Sequence, residues 1–158
     1  MIYIGIGSNL GNKLKNIEKA KSLIKINGIN IVQSSSYYET LSWPDPTKPK
    51  FLNIVISVST NFSPTKLLGI FKEIEVQLGR KKGKKNSPRE CDIDIIAFKN
   101  KISKGKLSIP HEKMHKRNFV LIPLYELNKN WIHPKYKTDI KNLIFSLPIE
   151  DIRSIKQI

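Results

Sequence analysis

The run Ser87-Pro88-Arg89-Glu90-Cys91-Asp92-Ile93-Asp94-Ile95-Ile96 concentrates the chemistry of this chain. Asp92 and Asp94 stand two residues apart, and the apolar run that follows, Ile95 to Phe98, reads as a buried strand. Residues i and i+2 of a strand share a face, so the two carboxylates lie side by side where the strand begins. Like charges that close repel, and each is costly to desolvate, which makes sense if the pair holds something cationic. A hard divalent ion such as Mg²⁺, ligated by oxygen, is the natural candidate. Just upstream stand Arg80, Lys81, Lys82, Lys84, Lys85 and Arg89. A basic loop beside a metal-holding acid pair suits a polyphosphate ester: the cations take phosphate oxygens, and the acids take the metals that bridge them. The competing reading of a bare Asp-x-Asp is a capped turn or a surface salt bridge to nearby lysines. The Pro-Arg before it, the strand after it and the basic loop upstream weigh against that.

The elements that position these residues belong to a chain of 158 residues, one domain by size and large enough for a substantial core. No apolar run approaches the roughly 18 residues of a membrane span. The chain opens directly as a strand, with no sign of a signal peptide, and its single Cys91 reads as a small core residue, so a reducing cytoplasm is expected. The formal charge of +15 comes mostly from lysines spread over nearly the whole length. Arginine is scarce: Arg80, Arg89, Arg117 and Arg153. Where lysine is so plentiful, arginine marks places that need its planar, permanently charged fork.

A strand over 2–7 runs into the turn Gly7-Ser8-Asn9-Leu10-Gly11-Asn12, which reads as structural, since it is neither a P-loop nor a dinucleotide fingerprint. Asn12 caps a helix over about 13–26, with Leu14, Ile17, Ala20 and Ile24 along one face and Gly28 at its end. A second strand is expected over about 30–40, and a proline-rich loop over 41–50. A third strand covers Phe51 to Thr60, with Phe51 and Asn53 on the face opposite Leu52, Ile54, Ile56 and Val58. Ser63-Pro64 starts a helix whose stripe Leu67, Phe71, Ile74, Leu78 is core, while Glu75 is read as lying off that stripe and facing the basic loop of 79–90. A fourth strand begins at Cys91, Lys99-Asn100 reads as a hairpin turn, and an extended segment covers Leu107 to His111. Phe119 to Leu127 reads as an apolar helix or buried segment, Asp139 to Leu147 as a short amphipathic helix, and 148–158 as a tail. The order strand, helix, strand, strand, helix, strand predicts an α+β, ferredoxin-like βαββαβ sandwich with an antiparallel sheet and C-terminal elaborations.

Taken together, the motifs resemble the 6-hydroxymethyl-7,8-dihydropterin pyrophosphokinase family nearly end to end. They are Gly7-Ser8-Asn9-Leu10-Gly11, Ser36-Tyr37-Tyr38-Glu39-Thr40, Phe51-Leu52-Asn53, Glu75 with Gly79-Arg80, Pro88-Arg89 with Asp92-Ile93-Asp94, and Pro110-His111 with Arg117 and Phe119. The resemblance implies transfer of the pyrophosphoryl group of ATP to the hydroxymethyl oxygen of the pterin, leaving AMP, in folate biosynthesis. It implies that Asp92 and Asp94 ligate two Mg²⁺ ions, with Asp92 also beside the pterin, and that Arg80, Arg89, His111 and Arg117 surround the triphosphate. Phe51 and Phe119 would sandwich the pterin, and Asn53 would bond its edge with help from main-chain groups at Thr40, Leu41 and Trp43. Glu75 and the backbone near Ile95 would lie by the nucleoside.

Many members carry Arg-Trp-Gly-Pro-Arg where this chain has Lys85-Asn86-Ser87-Pro88-Arg89, in a loop one residue shorter, so Lys82 and Lys85 would serve as point charges. The family often has Tyr where Phe51 stands, and Trp43 is placed to cover the pterin. The rival reading is a basic ferredoxin-like module that binds nucleic acid, although the aromatic pattern of an RNA-recognition domain is not evident and the acid pair would repel phosphate. A different two-metal nucleotide enzyme would share the acid pair but have no use for Phe51, Asn53 and Phe119. A monomer with small-molecule substrates and no nucleic-acid or membrane partner is expected.

Overall fold

A computed structural model describes residues 1–158. The elements are β1 (Ile2–Ser8), α1 (Lys13–Ile26), β2 (Asn30–Ser34), β3 (Tyr38–Thr40), β4 (Phe51–Ser59), α2 (Pro64–Gln77) and β5 (Asp92–Phe98). After a 3₁₀ turn at Met114–Lys116 come α3 (Asn118–Leu127), α4 (Ile140–Phe145), α5 (Ile149–Ser154) and β6 (Lys156–Gln157). Local chemistry sets the helix boundaries. Asn12 accepts from the Lys15 N–H and Ser63 from the Lys66 N–H, each capping a first turn, and Gly28 leaves α1 at a φ of 78°.

The sheet is antiparallel in the order β5-β1-β4-β3-β6, with β2 also paired to β4. Its two faces carry separate cores. Ile17, Ala20 and Ile24 of α1 and Leu67, Phe71 and Ile74 of α2 pack on Ile4, Ile54, Ile56 and Ile93. On the opposite face Val55, Ile96 and Ala97 meet Leu121, Leu124, Ile140 and Leu143. The C-terminal elaboration is therefore a third layer, which explains why all but the last residue of β4 is buried.

The expected second strand is two strands. At the break, the Ser35 hydroxyl accepts from the Val55 N–H (3.0 Å) and the Ser35 N–H donates to the Val55 carbonyl (2.9 Å), so a side chain heals the interrupted ladder. Leu14 is exposed rather than part of the α1 stripe. The turn at Lys99-Asn100 is present, but no strand returns along β5, which remains the sheet edge. The segment 148–158 is not a bare tail: it holds α5 and then β6, which pairs with β3.

Candidate active site

The ladder registers build the site. On β1, Gly7 lies opposite Asn53 of β4 on one side and Asp92 of β5 on the other, and Gly5 lies likewise between Val55 and Asp94. Phe51, Asn53, Asp92 and Asp94 thus point to one face, flanking a central strand that offers no side chain there. The glycines leave a floor between an amide-and-aromatic wall and an acidic wall. A Cβ at Gly7 would sit 2.7 Å from Asn53 Oδ1 and 3.3 Å from Phe51 Cδ1, so close approach demands glycine at this position.

Above that floor is a cavity whose walls include Trp43, Phe51, Asn53, Asp94, Arg117 and Phe119. Asn53 is buried, and its Nδ2 donates to Thr40 Oγ1 at 2.8 Å, which fixes the amide orientation. Guanidiniums rest on the aromatic walls, with Arg89 5.1 Å from the Phe51 ring centre and Arg117 5.2 Å from Trp43 and 5.4 Å from Phe119. Beside this cavity a basic cleft is walled by Arg80, Lys82, Lys85 and the rest of the 79–90 loop; Asn86 and Arg89 border both spaces.

Asp92 lies at the junction. Its Oδ1 accepts from Arg80 (2.7 Å) and its Oδ2 from Arg89 (2.7 Å). Burial alone would raise its carboxyl pKa, but the Arg89 and Arg80 charges outweigh burial and hold it below the usual carboxylate range. Asp94 is more open, with His111 Nε2 at 3.8 Å and Arg117 Nη1 at 3.7 Å. Burial pushes the His111 imidazole below its ordinary value despite Asp94, and its Nδ1 accepts the Lys113 N–H at 3.1 Å, so the neutral ring carries its proton on Nε2. The two carboxylates are the hard oxygen donors on this floor, ringed by cations that match phosphate. That donor set fits Mg²⁺ held jointly by the carboxylates and phosphate oxygens.

Of the residues singled out from sequence, Arg80, Arg89, Asp92, Asp94, His111 and Arg117 line this continuous pair of spaces, as do Trp43, Phe51, Asn53, Phe119, Lys82 and Lys85. The fourth arginine, Arg153, is exposed on α5. Glu75 also lines the basic cleft, facing the 79–90 loop as expected, but not as an open side chain. It is buried at 2% exposure, accepts from the Ile93 N–H (2.8 Å) and pairs with Arg80 (2.9 Å), so it braces the arginine that holds Asp92. Burial raises its pKa despite these partners. The Ile95 side chain packs in the core, and only its backbone, on the edge strand, is available to a ligand. Thr40 acts through Asn53, while Leu41 is exposed and outside the cavity wall.

Three features escaped the sequence reading. The glycine floor needed the register. Asn9 accepts the Arg89 N–H (2.8 Å) and donates to the Pro49 carbonyl (3.1 Å), tying the first turn to both site loops. Glu126 accepts from Ser36 and from the Tyr38 hydroxyl, pinning β3 to α3. The reading of the Gly7–Gly11 segment as a structural turn fits the Asn9 role.

An acid pair in an aromatic-walled cavity that adjoins a basic cleft, on an antiparallel α+β sandwich, has the layout of a transferase that brings a nucleoside polyphosphate to a planar second substrate. Residues 3–129 match the model of the 7,8-dihydro-6-hydroxymethylpterin-pyrophosphokinase (HPPK) family, and the chain belongs to that family. It is 38% identical over 145 residues to the Aquifex aeolicus 2-amino-4-hydroxy-6-hydroxymethyldihydropteridine pyrophosphokinase, covering 89% of this chain and 88% of the relative. It is 35% identical over 153 residues to the Schizosaccharomyces pombe folic acid synthesis protein, covering 96% of this chain but 21% of that longer protein. Among solved structures, a Plasmodium falciparum HPPK-DHPS with pterin and p-hydrobenzoate superposes at a TM-score of 0.73 and 15% identity, covering 99% of this chain and 47% of that one; this likeness bears on the fold alone. No helix is long and apolar enough to cross a membrane.

Proposed function

We infer that this chain transfers the pyrophosphoryl group of ATP to 6-hydroxymethyl-7,8-dihydropterin. The hydroxymethyl oxygen bonds to the β-phosphorus and its proton passes to solvent, the bond from that phosphorus to the α-phosphate oxygen breaks, and AMP leaves with that oxygen. The observation that carries this reading is the meeting of the aromatic-walled cavity and the basic cleft at Asn86 and Arg89, with Arg89 holding Asp92. A planar heterocycle against Phe51, Phe119 and Trp43, its edge on Asn53, directs a short substituent toward that junction. A triphosphate along Arg80, Lys82, Lys85 and Arg89 reaches it from the other side.

Such transfer is mostly positioning and charge neutralisation. Asp92 and Asp94 would hold two Mg²⁺ ions, which supply charge neutralisation and orient oxygens when bound. The arginines follow the charge that moves to the leaving phosphate, and the His111 Nε2–H donates without adding a charge of its own. Glu75, braced against the β5 edge near Ile95, borders the nucleoside end of the cleft. The reading includes a monomer in which residues 1–158 act as one domain. A cytoplasmic setting accords with a lone buried Cys91 whose thiol burial pushes up to about 12. The basic nucleic-acid reading is not favoured, since it leaves the acid pair and the aromatic-walled cavity without a role.

The test is Asp92→Ala and Asp94→Ala. Each should abolish turnover; Asp94→Ala should keep its fold by circular dichroism, whereas Asp92→Ala also unpairs Arg80 and Arg89 and should lower Tm, so Asp92→Asn is measured beside it. Near-normal pyrophosphoryl transfer in either variant at ordinary Mg²⁺ would sink the assignment.

A further inference from the structure

The two carboxylates are held very differently. Both Asp92 oxygens are engaged at 2.7 Å, each by a different guanidinium, whereas Arg117 and the neutral His111 ring stand at 3.7 and 3.8 Å from Asp94, beyond hydrogen-bond reach. An ionised carboxylate only accepts, so a metal ion approaching Asp92 competes directly with Arg80 and Arg89 for its lone pairs. Displaced without a new acceptor, each guanidinium would lose an ion pair, and Arg89 would become a partly buried, unpaired charge. Arg80 would keep Glu75 at 2.9 Å. Arg89 would keep only the Ser87 carbonyl at 3.1 Å, and its Nε is already buried without a partner. Phosphate oxygens in the adjoining cleft are the acceptors that both arginines lack.

We propose that Arg80 and Arg89 occupy the metal's place on Asp92 until nucleotide phosphates draw them off, so that this carboxylate takes a divalent cation only together with a nucleoside polyphosphate. The inference rests on Asp92 being a metal ligand. Its consequence is reciprocal coupling between metal and nucleotide, carried by exchange of the arginines. The arrangement keeps free divalent ions from filling the acidic wall in the absence of a phosphate donor, and it marks Arg89 as the switch because it has the fewest remaining partners.

The experiment titrates the full chain with Mn²⁺, followed by electron paramagnetic resonance without nucleotide. Water-proton relaxation, which reports protein-held Mn²⁺, follows binding with a non-hydrolysable ATP analogue. Without nucleotide, Arg89→Gln should bind Mn²⁺ about tenfold tighter than the wild type, within the range usual for coupled sites, and should lose most of the enhancement that the analogue confers. Arg80→Gln gives a second reading should the first variant fold poorly. Lys85→Gln removes an equal charge from the same cleft without touching Asp92, and its shift should stay below about twofold. Equal tightening in Lys85→Gln and Arg89→Gln, or none in either arginine variant, overturns the proposal. Asp92→Asn separates it from its premise. If that change leaves Mn²⁺ binding with the analogue intact, Asp92 is no ligand and both readings fall. If it weakens that binding while the arginine variants bind like wild type, only the exchange is wrong.

Discussion

Gly7→Ala isolates the glycine floor. Gly7 is not in the left-handed backbone region, so alanine brings no backbone strain, only a methyl group. That methyl would stand 2.7 Å from Asn53 Oδ1 and 3.3 Å from the Phe51 ring. An ordinary carbon–oxygen contact is about 3.3–3.6 Å, so the amide oxygen must retreat by roughly 0.6 Å or more. Asn53 is not free to do so: it is buried, and its Nδ2 is committed to Thr40 at 2.8 Å. Overpacking of this kind is worth about 1–3 kcal/mol. Because the residues displaced form the pterin wall, most of it should appear as weaker pterin binding, an increase in Kd of about 5- to 150-fold. ATP affinity should stay close to wild type, since Gly7 does not border the basic cleft. Calorimetric titration of each ligand is the assay. Gly69→Ala, on α2 with nothing within 4 Å of the added carbon, is the control: it should leave both affinities alone and stabilise the helix by up to about 1 kcal/mol. Wild-type pterin affinity in Gly7→Ala, or parallel loss of ATP and pterin, would refute the reasoning.

Arg89→Lys keeps the charge but loses the fork, and kcat/KM should fall by more than about tenfold; Lys104→Ala on the exposed segment after Ser103 should change little, and equal effects would mean that only bulk charge matters. Phe119→Ala should weaken pterin binding by about 1–3 kcal/mol, on the scale of aromatic stacking, with ATP binding nearly unmoved. Loss of both ligands alongside a large fall in Tm would return Phe119 to a purely structural role. His133, 2% exposed, is lowered to about 4 by burial and by the charges of His115 and Lys135. The unfolded chain therefore binds a proton that the fold excludes. Stability should be full above about pH 6.5 and decline toward pH 4, by about 2–3 kcal/mol from this residue. His133→Asn, whose carbonyl can still accept the Lys135 and Tyr136 N–H groups, should flatten that slope in thermal melts at stepped pH, and an unchanged slope would assign it elsewhere.

Local signals carried far in this chain. The bounds of α1 follow from Asn12, the 3.6-residue apolar stripe and Gly28, and those of α2 from Ser63-Pro64. The period-two pattern of β4 put Asn53 and Phe51 on the face opposite Leu52 and Ile54, away from α1 and α2, where they stand. Asp92 and Asp94 share a face because strand geometry leaves no alternative. What sequence could not supply depends on partners distant in the chain. The break at Ser35 is permitted by a hydroxyl bond to Val55, and β6 exists only because the edge of β3 is free to pair with it. Glu75 sits one position past a core isoleucine, and its burial is tolerated because Ile93 and Arg80 meet its oxygens. The glycine floor is invisible until the register sets Gly7 between Asn53 and Asp92.

The most direct measurement follows the phosphorus. Purified chain is incubated with ATP, Mg²⁺ and 6-hydroxymethyl-7,8-dihydropterin, and the products are resolved by ³¹P magnetic resonance and chromatography. The account predicts AMP and the pterin diphosphate in equal amounts, with no ADP and no AMP when the pterin is left out. Accumulation of ADP with a pterin monophosphate, or AMP release that does not depend on the pterin, would contradict it.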